Sequence, residues 1–218
     1  MPPRIVLLDV NGTLTDLAPI GAPWGRPELG EWVLDQAVLT AMAGALLGGG
    51  DRAFAEHIRA AIGTIVSNAG LDPAGIDAAT AAAVALPARP GAEEALSRLA
   101  DAGVQAVALT NSGAAAGTRT LRGCGLEPYV ERVLGVDAVH TFKPDPRVYA
   151  YALDALRAAP QEVTLLATHP WDLAGAAHAG IGTAWVTHGP RSWPDVFPAP
   201  DVRGDGLIDV VEALIDLA

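Results

Sequence analysis

Four separated stretches of the chain carry residue types that handle charge. Asp9, Asn11 and Thr13 follow the apolar run Ile5-Val6-Leu7-Leu8, and Thr110, Asn111 and Ser112 follow Val104–Leu109. Lys143 stands in the turn Phe142-Lys143-Pro144-Asp145-Pro146, and Thr168, His169 and Asp172 follow Val163–Ala167. Brought together they would furnish one small pocket with a carboxylate, a lysine, hydroxyls and an amide. Such a local cluster of donors can seat a small anion even in an acidic protein. Each member also has a plainer reading. Asp9, Thr110 and Ser112 could cap helices, and Lys143 among prolines could be a surface lysine. His169-Pro170-Trp171-Asp172 could be a turn with a packed Trp and a capping Asp. Their order after successive strands favours a shared site.

The elements that must position these residues can be read from pattern. Residues 4–8 have the β-branched and Leu character of a buried parallel strand, and Asn11-Gly12 marks a turn. From about residue 14 to 88 the pattern is helical, with segments Trp32–Leu47, Phe54–Val66 and Ile76–Leu86 separated by Gly48-Gly49-Gly50 and Asn68-Ala69-Gly70. After Pro90 strands and helices alternate. A helix over 91–102 places Ala92, Leu96, Leu99 and Ala100 on one face and ends at Gly103, a suitable left-handed position. A strand over 104–109, a helix over 114–124, a short strand over 133–136 and a helix over 147–158 follow. Then come a strand over 163–167, a helix over 173–179, a strand over 183–186 and a terminal helix over 207–217. This alternation predicts a parallel sheet covered by helices on both faces. Ligands bind such open sheets at the carboxyl ends of the strands, where the polar residues fall.

Composition narrows the classes of partner. The 218 residues, half of them hydrophobic, suit one α/β core with a small second domain. The net charge of -11 argues against nucleic acid and against an anionic membrane surface. A single cysteine, Cys124, allows no internal disulfide and reads as a packed thiol. The first apolar run is too short for a signal segment or a membrane span, so a cytoplasmic enzyme is expected. His57, His140, His178 and His188 lack metal-ligand spacing, and Trp24, Trp32 and Trp193 read as packing between two parts of the molecule or as lining an entrance, with packing favoured.

Asp9-Val10-Asn11-Gly12-Thr13-Leu14, then Leu109-Thr110-Asn111, then Lys143-Pro144-Asp145, then Asp172 before Gly175-Ala176, resembles the four motifs of the haloacid dehalogenase-like hydrolases. The resemblance covers residues 4 to about 188. It implies a Rossmann-like doubly wound parallel sheet, with a core over 1–13 and 89–218 and a small helical cap over 14–88 inserted after the first strand. It also implies that Asp9 is a nucleophile. Most members are magnesium-dependent phosphatases, whose first motif carries a second Asp where this chain has Asn11, and an acid where it has Thr168. An amide has no proton to give, and a hard dication would lose a carboxylate.

The 2-haloacid dehalogenase branch needs neither residue. Lys143-Pro144-Asp145-Pro146-Arg147-Val148-Tyr149 and Trp171-Asp172-Leu173-Ala174-Gly175-Ala176 are similar to its third and last motifs. The resemblance implies that Lys143 keeps Asp9 ionised, that Thr13 and Thr110 bond Asp9 or substrate, and that Asn111 seats the halide or carboxylate. Tyr149 and Trp171 would belong to the site, and Asp172 would support Lys143 and the hydrolytic water. No metal or cofactor is expected, magnesium entering only under the phosphatase alternative. The expected partner is a small haloalkanoate, with a homodimer the assembly the resemblance suggests. The chain departs from that branch in two places. It has Ala167 and His169 where Ser and Asn are usual, which makes His169 a second candidate for water activation. It also lacks the branch's cap arginine around Trp32–Leu39, where Gln36 could donate instead and the nearest arginine is Arg26.

Overall fold

The computed structural model describes residues 3–48 and 50–217. All six strands are parallel: β1 (Ile5–Leu8), β2 (Gln105–Thr110), β3 (Arg132–Gly135), β4 (Val163–Ala167), β5 (Gly182–Val186) and β6 (Val202–Gly204), in the spatial order β3-β2-β1-β4-β5-β6. The chain adds strands first on one side of β1 and then on the other. The carboxyl end of β1 therefore lies at the reversal point, where a doubly wound sheet opens a crevice. Alternate residues of β1 serve opposite cores. Ile5 and Leu7 join the cluster on one face, Val6 and Leu8 the cluster on the other.

The expected α/β architecture is observed, with a helical insertion directly after β1. It contains α1 (Ala18–Gly21), α2 (Leu29–Leu46), α3 (Phe54–Asn68) and α4 (Ile76–Ala83). Of the glycine break predicted between the two longest helices, Gly49 lies outside the described residues. The chain leaves and re-enters the core side by side: the Asp16 amide donates to the Pro87 carbonyl and the Arg89 amide to the Leu14 carbonyl. In α2 the buried residues Gly30, Val33, Leu34, Ala37, Val38 and Ala41 form one stripe at helical spacing, whereas Leu39, Leu46 and Leu47 are exposed. Trp32 does not pack inside as expected. It is half exposed under the Arg26 guanidinium.

The remaining helices are α5 (Ala92–Asp101), α6 (Ala114–Gly123), α7 (Pro146–Leu156), α8 (Pro170–His178) and α9 (Leu207–Ile215). Ala92, Ala95, Leu96 and Leu99 make the buried face of α5; Ala100 is exposed, because eight residues on from Ala92 the helix has turned past that face. Helix α8 starts three residues earlier than the sequence pattern suggests, because Pro170 needs no amide donor and suits the first turn. Strand β6 and helix α1 were not expected. Cys124 is half-buried at the end of α6 and its thiol contacts the Leu121 carbonyl.

Candidate active site

Each strand end delivers its polar residues to one point. Asp9 follows β1, Thr110 ends β2, and Thr168 follows β4. The loop before α7 brings Lys143, and the first turn of α8 brings Asp172. Asp145 caps α7 by accepting from the Arg147 amide, which fixes where that loop ends. The Lys143 amide donates to Asn111 Oδ1 at 2.8 Å, which ties the lysine loop to the end of β2.

The centre is a lysine between two carboxylates. Lys143 Nζ lies 2.7 Å from Asp9 Oδ1 and 2.6 Å from Asp172 Oδ2, and it also donates to the Leu109 carbonyl at 3.0 Å. These three acceptors match the three protons of an ammonium. The lysine is fully buried, not a surface residue, and Asp172 is buried with it. The other oxygen of Asp9, Oδ2, accepts from Thr13 Oγ1 at 2.7 Å and faces His169 Nδ1 at 3.1 Å. The Thr168 amide donates to Thr13 Oγ1, which holds that hydroxyl's proton toward Asp9. Tyr149 donates to Asp172 Oδ1 at 2.6 Å. Asp9 is therefore no helix cap, and His169, not Asp172, occupies the N-cap of α8.

Two glycines make this arrangement sterically possible. A Cβ at Gly175 would lie 2.5 Å from the Tyr149 hydroxyl, so the tyrosine reaches Asp172 only across a bare helix turn. Gly12 adopts a φ of +85°, and a Cβ there would press on the His169 ring at 3.0 Å.

The charges sort themselves accordingly. Burial alone would push Asp9 up, but Lys143 and the bond to His169 outweigh it and hold the carboxyl well below the usual carboxylate range. Asp172 is pushed up, first by burial and also by the charge of Asp9, against the pull of Lys143. Burial works against the lysine charge as well, yet the two aspartates keep Lys143 above the ordinary ammonium value. Burial and Asp172 raise Tyr149 well above the ordinary phenol value, which keeps its hydroxyl a donor. Asp9 is thus an ionised, desolvated carboxylate, a state in which an oxygen can attack an electrophile without a base to activate it.

Above Asp9 the space is small, polar on the core side and apolar on the side of the inserted helices. A cavity of about 10 Å3 is lined by Asp9, Asn11, Thr110, Asn111, His169 and Trp171 from the core, and by Leu34, Val38 and Phe54 from the inserted helices. That is room for about one water. Trp171 lies stacked on the His169 ring at 5.3 Å. Thr110 Oγ1 accepts from the Ser112 amide. Asn111 uses its oxygen on Lys143, which leaves its NH2 group with donors to spare. Sequence reasoning missed Leu34, Val38 and Phe54; the four-residue spacing of the first two in α2 is the only mark they carry. It also missed His188 and Arg89, which bond the Thr13 and Gly12 carbonyls behind the nucleophile. Neither Arg26 nor Gln36 lines this cavity: Arg26 pairs with Glu28 at the surface.

The donor set does not fit a magnesium ion. All four oxygens of Asp9 and Asp172 already accept from, or face, protein groups: Lys143, Thr13, His169 and Tyr149. A dication would share both carboxylates with an ammonium that already balances their charge, and Thr168 offers a neutral hydroxyl where a further carboxylate would serve.

The sequence model of the haloacid dehalogenase-like hydrolases matches residues 3–180, and the chain belongs to that family. Among curated proteins it is 34% identical over 101 residues to (S)-2-haloacid dehalogenase 4A of Burkholderia cepacia, a match covering 46% of this chain and 44% of that protein. It is also 34% identical over 125 residues to phosphoserine phosphatase of Thermus thermophilus, covering 57% and 50%. These matches span about half the length of the curated relatives. In three dimensions the chain is similar to L-2-haloacid dehalogenase from Xanthobacter autotrophicus with chloropropionic acid covalently bound, with a TM-score of 0.87, 22% identity and coverage of 99% and 100%.

Proposed function

We propose that this hydrolase is a metal-independent (S)-2-haloacid dehalogenase acting on short 2-haloalkanoic acids. The observation that carries the reading is the buried Asp9–Lys143–Asp172 cluster: it keeps Asp9 ionised and balances the charge of both carboxylates with an ammonium instead of a metal ion. An Asp9 oxygen attacks the carbon bearing the halogen from behind; the C–O bond forms as the carbon–halogen bond breaks, and halide departs with its electron pair. The product is an ester of Asp9 with inverted carbon. Water then adds to the Asp9 carbonyl carbon, giving one proton to His169. Collapse breaks the ester C–O bond, and the departing alkoxide takes that proton back from His169 to leave as a 2-hydroxy acid. The second water proton passes to solvent as the Asp9 carboxylate is restored. Halide needs no proton to leave, so Asn11 in place of an acid costs this reaction nothing.

The water's proton goes to His169. Both oxygens of Asp172 are held by Lys143 and Tyr149, whereas His169 lies against Asp9 and its Nε2 is buried without a protein partner among the described residues. A neutral ring that donates from Nδ1 to Asp9 keeps Nε2 as an acceptor. Thr13 orients Asp9, and the Asn111 NH2 is the donor nearest at hand for halide or carboxylate.

The phosphatase relatives support a second reading, a magnesium-dependent phosphomonoesterase, against which the donor set weighs. Halide release from L- and D-2-chloropropionate, run beside p-nitrophenyl phosphate hydrolysis, separates the two. The proposal expects halide from the L-acid only, unchanged by EDTA. Phosphate release that requires magnesium, with no halide, would replace it.

A further inference from the structure

The chamber above Asp9 holds about one water and cannot house an alkyl tail in its closed form. Two larger spaces adjoin it. One, of about 610 Å3, shares Phe54 and Asn111 with the chamber but is rimmed by Asp51, Arg52, Asp137 and His140, a lining suited to water and ions. The other, of about 310 Å3, shares Asn11, Leu34 and Phe54 with the chamber, so these three side chains face both spaces. Beyond these three its walls include Leu17, Ile20, Ile58 and Leu86, contributed from the inserted helices and their connections, with Ala83 and Thr120 facing it from α4 and α6. Its size is that of a small-ligand pocket; Arg119 is the one charged residue in its lining, with Asn11, Thr80, Ser112 and Thr120 as the other polar groups, whereas the first space is rimmed by several charges.

We propose that this second space receives the hydrocarbon tail of the substrate, so that the enzyme takes 2-haloalkanoates with several tail carbons in preference to haloacetates. The inference rests on the dehalogenase reading for its reaction, and it adds where the substituent on the reacting carbon goes. Rotation of Phe54 and Leu34 joins the chamber to the tail space. The carboxylate and halogen then stay beside Asp9 and Asn111 while the tail lies between α4 and α6. Asn11 supports the assignment. It is a short side chain three residues past the end of β1, and it lines both the chamber and the second space.

Two measurements test this separately from the reaction. The first is calorimetric binding of hexanoate and propionate, which carry no halogen and need no turnover. Hexanoate is expected to bind at least about tenfold more tightly, since each added methylene that leaves water contributes roughly fourfold. Ala83→Leu, and independently Thr120→Leu from the opposite wall, should each remove most of that difference. Equal affinity for the two acids, or a difference that neither variant alters, would overturn the tail pocket. The second is halide release from 2-bromohexanoate against bromoacetate, where the kcat/KM ratio should favour the longer acid and fall in the same variants. Turnover of bromoacetate with none of 2-bromohexanoate contradicts the tail pocket and spares the dehalogenase reading. Tight hexanoate binding without halide release from either acid supports the pocket and removes the dehalogenase.

Discussion

The two walls of the reaction chamber are built on opposite principles. The core wall is polar and has no slack: one ammonium meets three acceptors, and a threonine, a tyrosine and a histidine engage the remaining carboxylate oxygens. The wall supplied by the inserted helices is hydrocarbon, with Leu34, Val38 and Phe54 and no charged group. Charge is thus concentrated around Asp9, in a buried cluster where electrostatic interactions are stronger than in water. The opposite wall excludes water and shapes the space. A leaving halide would find donors on the core side, at Asn111, and no cation from above. Sequence and structure diverge most on this wall, where Arg26 and Gln36 were the candidates and neither is present.

The contrast predicts unequal costs of substitution. The largest belongs to Lys143. Lys143→Met leaves two buried carboxylates facing each other without a counter-charge, and unfolding in urea should register a loss of roughly 3–5 kcal/mol. A loss near 1 kcal/mol would mean that the cluster matters less than its geometry implies. Next is His169→Asn, which keeps a polar group but no titrating nitrogen. Ester hydrolysis should slow by about 10²-fold or more while the first, halide-releasing turnover stays fast. Rapid quench should then record a burst of halide, and mass spectrometry an Asp9 adduct. Equal slowing of both phases would assign His169 to substrate binding instead.

On the apolar wall the effects should be smaller. Val38→Ala removes two methylene equivalents and should lower kcat/KM by about tenfold at most, through KM more than kcat. A drop of several hundredfold would show that the hydrocarbon wall does more than exclude water. The smallest effect is one of pH. His188 is held neutral behind the Thr13 carbonyl, its pKa lowered to about 4 by burial and by Arg89. The unfolded chain therefore binds the proton that the folded one refuses, so stability should fall as pH drops from about 6.5 toward 4. His188→Gln should flatten that part of the curve in thermal melts at stepped pH, and an unchanged slope would place the titration elsewhere.

What the sequence revealed and what it concealed follow from locality. Strand β4 could be read at its observed bounds because a short run of apolar residues, interrupted only by the β-branched Thr164, ends at a polar turn. The convergence of Asp9, Thr110, Lys143 and Asp172 could be read because parallel strands put their carboxyl ends on one side. The burial of Lys143 could not, since the groups that accept its protons, Asp9, Leu109 and Asp172, all lie far from it along the chain. The apolar wall was equally hidden. Leu34 and Val38 look like any core stripe, and only their place beside Asp9 and Asn11 in the cavity makes them part of a site. Strand β6 was missed because three residues beside a glycine carry no periodicity.

The central claim is that Asp9 forms an ester and is itself hydrolysed. A single turnover of L-2-chloropropionate in H2 18O, with enzyme in excess, followed by mass spectrometry of the peptide containing Asp9, tests it directly. The account predicts one heavy oxygen in the Asp9 carboxylate, an unlabelled 2-hydroxy acid, and no label in the Asp9→Asn variant. Heavy oxygen in the product alone would mean that water attacks the substrate directly, and would contradict the account.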